Sequence, residues 1–201
     1  MLYDDTLALL REMIRNACVN DYTPGSGQEV RNADTLERFF ADTPGITIER
    51  YESAPGRVSI VVTLEGTDPS AEPLTFLGHT DVVPVDADRW TVDPFGAEII
   101  DGRLYGRGAM DMLFITATQA AVLRDAARSG RPTGTLTFVG VADEESRGTL
   151  GAKWLSEEHP EAFSWRNTLS ETGGSHLPIA DGSDALVLVV GEKGAAQRRL
   201  H

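Results

Sequence analysis

"LTFLGHTDVVP", residues 74–84, runs from apolar residues through Gly78 into a histidine and an aspartate two places apart, then stops at Pro84. A short apolar run bounded by turn residues predicts a buried strand. The proline, which has no N–H to give to a ladder, predicts where pairing ends. Such a strand leading straight into His79 and Asp81 has two readings. In one, its polar end is merely solvated or hydrogen-bonded. In the other, the strand delivers both side chains to a site. The segments on either side decide between them.

Upstream, Leu7, Leu10, Ile14 and Ala17 recur at helical spacing behind Asp4 and Asp5, acidic residues that suit the positive end of a helix dipole. "SGQE" (26–29) has the serine-to-glutamate spacing of a capping box, and Val30, Ala33, Leu36 and Phe40 continue a second amphipathic helix. "ITIERYE" and "RVSIVVTLEG" read as strands on either side of the turn "SAPG". Downstream, "EIIDGRLYG" carries an Asp-Gly hairpin signal. Apolar spacing from Met112 to about Ala127 is helical, with Gly130 and Pro132 as its stop. "GTLTFVGVA" is a strand, "GTLGAKWLSEEHP" a short helix, "RNTLSE" a strand and "ALVLVVGEKG" a last strand. Strands interleaved with helices predict an α/β fold, a mostly parallel sheet with helices on both faces.

Composition bounds the function. In 201 residues there are 31 acidic and 18 basic side chains, a formal charge of −13 that opposes nucleic acid and anionic lipid. No stretch is apolar enough to span a membrane. The N-terminus has acidic residues where a secretory signal would be basic, so a cytoplasmic location is expected. Cys18 is the sole cysteine, which excludes an internal disulfide and a cysteine-only metal site. Its neighbours Met13, Ile14 and Ala17 favour a small core residue over a nucleophile.

On this scaffold the acidic residues and one histidine fall at matching ends of their elements. His79 closes "LTFLGH", Asp111 opens a helix, Glu144 and Glu145 follow "TLTFVGVA", and Glu171 ends "RNTLSE". In an open α/β sheet, ligands bind outside the carboxyl ends of the strands, so distant segments would bring these groups to one crevice. Crowded carboxylates resist ionisation unless a cation neutralises them. Imidazole with carboxylate and no thiolate fits zinc or a similar first-row ion. Two adjacent glutamates suggest divided labour, one binding metal and one taking a proton from water. Read alone, "DEE" is a solvated acidic turn; "GHTD" and "GRGAMD" beside it favour the functional reading.

"GHTDVVPV", "DGRLYGRGAMDM", "DEESRGTLGAKWL", "SETGG" and "GEKGAAQRRL" resemble the zinc-dependent family of aminoacylase, carboxypeptidase G, acetylornithine deacetylase and succinyl-diaminopimelate desuccinylase. The resemblance implies a phosphorylase/hydrolase-like catalytic domain over 1–190, with 191–201 beginning a lid and dimerisation domain. It implies His79 as a ligand of the first zinc, Asp81 as the acid that steadies His79, and Asp111 as the bridge between two metals. It also implies Glu144 as general base, Glu145 as a ligand of the second metal and Glu171 as the remaining acid on the first, with Thr172 where a glycine is frequent. The implied reaction is hydrolysis of an amide in an N-acyl amino acid or short peptide beside a free carboxylate, through a water shared by two cations (Zn, or Co or Mn). A homodimer is implied for the full-length family member.

Two departures stand out. "MLF" follows Asp111 where the family has "MKG", which puts Leu113 and Phe114 near the site. The chain is also expected to stop at about the start of the lid, as a fragment or a natural truncation, without the family's final histidine ligand. His201, His159 and His176 are not expected to replace that ligand. One firm zinc, a weaker second and an uncovered edge or face of the sheet follow as expectations. A metal-binding scaffold without catalysis is the alternative. "GRGAMD" as a nucleotide-binding loop is disfavoured, since it lacks both the dinucleotide spacing and a phosphate-loop lysine.

Overall fold

The computed structural model describes residues 2–172 and 175–189. The chain forms α1 (Leu2–Arg15), α2 (Val30–Phe40), β1 (Ile46–Ala54), β2 (Arg57–Leu64), β3 (Leu74–His79), β4 (Glu98–Ile100), β5 (Arg103–Tyr105), α3 (Leu113–Ser129), β6 (Leu136–Val141), α4 (Ala152–Glu158), β7 (Thr168–Leu169), β8 (His176–Pro178) and β9 (Asp184–Leu186). Contacts divide it after Ser170 into a first unit that holds the sheet and a second that holds the β8–β9 hairpin. The boundary expected at 190/191 lies outside the described residues.

The main sheet has the order β1-β2-β6-β3-β7. β1 pairs antiparallel with β2 and β2 antiparallel with β6, whereas β6 and β7 both run parallel to β3, so only β2 opposes the other four. Apolar alternation assigns the faces. Ile60, Val62, Leu64, Leu136 and Phe138 pack with Met13 and Ile14 of α1, Leu36 and Phe40 of α2, and Leu113, Ala117 and Ala120 of α3. Val61, Val139 and Val141 point the other way, onto Leu155 of α4 and Phe163. Helices therefore cover both faces, and each large side chain so buried contributes roughly 1.5–3 kcal/mol. The α/β architecture with a mostly parallel sheet stands as the sequence predicts.

Register places the centre. β3 and β6 pair from Leu74↔Leu136 to His79↔Val141, so His79 and the segment after Val141 leave the sheet at the same edge. α3 approaches β3 closely because Gly78 has no side chain: a Cβ there would lie 2.5 Å from Thr116 Oγ1. That hydroxyl donates to the His79 carbonyl at 2.9 Å and fixes the end of the strand against the helix.

Three local expectations differ. "SGQE" does not form a capping box: α2 starts at Val30, Glu29 makes no side-chain cap, and Ser26 Oγ donates to the Thr23 carbonyl at 2.8 Å. Glu29 is instead drawn inward to Arg57. β7 has only two paired residues of the six in "RNTLSE", because it meets β3 only at Thr75 and Phe76. In "ALVLVVGEKG" the described strand is β9, and residues from 190 onward lie outside the described part. No described helix is long and apolar enough to cross a membrane.

Candidate metal and catalytic centre

His79 ends β3 almost fully buried, at 1% exposure. Its Nδ1 lies 2.9 Å from the backbone carbonyl of Asp81 and 3.5 Å from the Asp81 carboxylate. Both neighbours of Nδ1 are acceptors, which favours a proton on Nδ1. Nε2 faces Asp111 Oδ1 at 3.2 Å and Glu144 Oε2 at 3.7 Å. Asp111 arrives from the turn before α3 with its side chain 71% exposed, and Glu144 from the turn after β6.

Asp81 organises the backbone behind that group. It is fully buried; Oδ1 accepts the Glu144 N–H at 3.1 Å, and Oδ2 accepts the Glu145 N–H at 3.1 Å and the Asn20 amide at 2.8 Å. Glu144–Ser146 forms a single 3₁₀ turn between Asp143 (φ 65°) and Arg147 (φ 83°), both in the left-handed region. Such residues persist where surrounding contacts hold them. Here the Asp143 carbonyl accepts the Gly148 N–H at 2.7 Å and its carboxylate accepts the Leu150 N–H at 2.8 Å, which closes the loop on Asp143.

Electrostatics mark the same place. Burial pushes the Glu145 carboxyl up to about 7; the His79 imidazole pulls it down, and the charges of Asp111, Asp81 and Glu144 add to the rise. An imidazole nitrogen that faces carboxylate oxygens calls for a cation, either a second proton on the ring or a metal ion. Borderline nitrogen with hard oxygen donors is the set that holds zinc and its first-row neighbours. The residues present fit a metal.

The remaining sequence-predicted positions are placed as follows. Glu171 is the first residue of the second unit, half-buried, two residues beyond the end of β7. Leu113 is buried in the core, with its Cδ1 against Gly108, while Phe114 is 38% exposed on α3. His159 packs tilted against Tyr51 and edge-on against Trp154, and His176 lies on β8 with Nδ1 3.6 Å from Asp184. His201 lies outside the described residues. Cys18 is buried with its thiol directed to the Gln28 carbonyl, and burial pushes it up to about 12, as befits a core residue.

Sequence reasoning missed Asn20, Glu29, Arg57 and Asp143. All four are buried, and Arg57 Nη1 meets Glu29 Oε1 at 2.6 Å. A charged residue opening the otherwise apolar run "RVSIVV" is the signal that could have found them, since a buried guanidinium requires a partner.

Comparison with known proteins identifies the family. The profile of "Peptidase family M20/M25/M40" matches residues 75–199. Succinyl-diaminopimelate desuccinylase of Phenylobacterium zucineum is 39% identical over 155 residues, covering 76% of this chain and 38% of that protein. Its counterpart in Rhodospirillum centenum is 39% identical over 156 residues, 74% of this chain and 38% of that one. The chain thus spans well under half the length of these curated relatives. Among solved structures, an M20 family metallo-carboxypeptidase of Sulfolobus solfataricus, Sso-CP2, superposes with a TM-score of 0.67 at 19% identity, over 89% of this chain and 39% of that one. The dipeptidase Dug1p of Saccharomyces cerevisiae gives 0.62 at 20% identity, over 78% of this chain and 36% of that one. At those identities the superpositions show the fold, and the profile match over more than half of the sequence shows the family: this chain belongs to peptidase family M20/M25/M40.

Proposed function

We propose that this chain carries the catalytic base and metal-binding acids of a hydrolase that cleaves an amide bond of an N-acyl amino acid or short peptide beside a free carboxylate. The observation that carries the reading is the convergence of Asp111 and Glu144 on Nε2 of His79, from three separate segments. The relatives' names support the substrate class: a desuccinylase removes an acyl group from an amine, and a carboxypeptidase cuts beside a terminal carboxylate.

His79, Asp111 and Glu145 would hold the divalent metal; the motif "SETGG" is what supports Glu171 as a further ligand. When bound, a divalent cation would polarise the scissile carbonyl and acidify the attacking water. The chain's own residues do the rest. Asp81 holds the His79 ring through its backbone carbonyl at Nδ1, which turns Nε2 toward Asp111 and Glu144. The Glu144 carboxylate, about half exposed and with its backbone N–H held by Asp81, takes a proton from the water as its oxygen adds to the acyl carbon. Glu144 then gives that proton to the departing nitrogen as the C–N bond breaks, leaving a carboxylic acid and an amine. The base and Glu145 share one rigid turn, so their relative aim is set by Asp81.

The test is hydrolysis of N-succinyl and N-acetyl amino acids by the zinc-loaded chain and by Glu144→Gln. Glu144→Gln keeps size and hydrogen bonding but cannot accept the proton, and loss of a general base lowers kcat by about 10²–10⁴-fold. Equal rates in the two proteins would remove Glu144 from this role.

A further inference from the structure

Behind the acidic centre lies a buried polar ring that none of the steps above uses. Asn20 is fully buried on the segment that follows α1. Its Nδ2 donates to Asp81 Oδ2 at 2.8 Å and to Asp143 Oδ1 at 3.2 Å. Its Oδ1 accepts from Arg57 Nη2 at 3.0 Å. Arg57 Nη1 in turn meets Glu29 Oε1 at 2.6 Å, and that oxygen also accepts the Asp143 N–H at 3.2 Å, which closes the ring.

The chemistry of this arrangement is specific to an amide. Two buried carboxylates, Asp81 and Asp143, approach the same point, and an NH₂ group supplies one N–H to each without adding charge. The amide cannot turn over, because its oxygen would then face two carboxylates and its NH₂ would face the guanidinium. Arg57 therefore sets the orientation of Asn20, and the Arg57–Glu29 pair is itself locked by burial. Downstream, Asp81 receives the N–H groups of both Glu144 and Glu145, and Asp143 closes the loop that carries them.

We propose that Asn20 is a positioning residue: by tying the Asp81 and Asp143 carboxylates together in front of Arg57, it sets the aim of Glu144 and Glu145. The proposal rests on the roles assigned to those two glutamates above. Asn20 acts through Asp81 on one side and Asp143 on the other. Outer partners of this kind change activity by about 10–100-fold when removed.

The experiment compares the full chain with Asn20→Ala and Asn20→Asp by amide hydrogen exchange in NMR, and by kcat and KM for an N-acyl amino acid. Exchange at the Glu144 and Glu145 amides should quicken by about tenfold or more, while the amides of Phe138 and Val139 in β6 keep their protection. In the zinc-loaded enzyme kcat should fall with KM nearly constant. Unchanged exchange at the two glutamates, or an equal rise in β6, would overturn the proposal, since the latter is what mere destabilisation produces. Should Asn20→Ala not fold, Asn20→Asp keeps the side chain's size and the acceptor for Arg57 and is read in the same way. If the wild-type chain hydrolyses no acylated amino acid while the two amides respond as stated, the positioning stands and the assigned reaction falls.

Discussion

At the scale of single residues, Glu29 is the most exposed to test. It is fully buried against Arg57, yet its Oε2 has no hydrogen-bond partner among the described residues, and burial pushes its carboxyl from the ordinary 4.5 up to about 7 against the pull of the guanidinium. A carboxyl whose folded pKa lies above its unfolded value holds its proton more tightly in the fold. The stability this contributes is complete below the unfolded value and is lost as pH rises through about 7. Urea unfolding of the wild type should therefore show stability declining from mildly acidic to mildly alkaline pH, by an amount on the order of 1–3 kcal/mol. Glu29→Gln mimics the protonated form and should show a flatter profile. Identical slopes in the two proteins would mean that Glu29 stays ionised throughout. None of this was visible locally: the spacing of "SGQE" suggested a helix cap, and the residue that takes Glu29 away, Arg57, lies 28 positions downstream.

Among the elements, those whose burial is continuous were legible and those fixed by neighbours were not. "LTFLGH" and "LTFVGV" are apolar because both faces of β3 and β6 are covered, so their sequences announce buried parallel strands. The helical spacing after Met112 and the stop at Gly130 predicted α3 closely. "RNTLSE" failed to predict the length of β7, since pairing along an edge depends on how much of β3 is offered to it. The ends of β3 and β6 also delivered His79, Glu144 and Glu145 to one edge as the sequence order required, whereas the ring behind them depends on contacts between residues tens of positions apart. The closest element contact yields a prediction of its own. Gly78→Ala would set a Cβ 2.5 Å from Thr116 Oγ1 and 3.2 Å from Thr116 Cα, so α3 must move away from β3. Overpacking of that sort costs about 1–3 kcal/mol, read as a lower denaturation midpoint. An unchanged midpoint would show that the helix yields freely at this point.

For the molecule as a whole, the account rests on charge. A chain with a net charge of −13 nevertheless aims Asp111 and Glu144 at one buried imidazole whose other nitrogen is already committed to a carbonyl. Family membership makes a metal the natural occupant, and His79 and Asp81 lie buried within the first unit. The most direct test is calorimetric titration of the metal-free chain with zinc near neutral pH, beside His79→Ala and Asp111→Asn. The wild type should bind zinc saturably and gain thermal stability on doing so, and both variants should lose most of that affinity. Absence of saturable binding in the wild type, or binding as tight in both variants, would contradict the account.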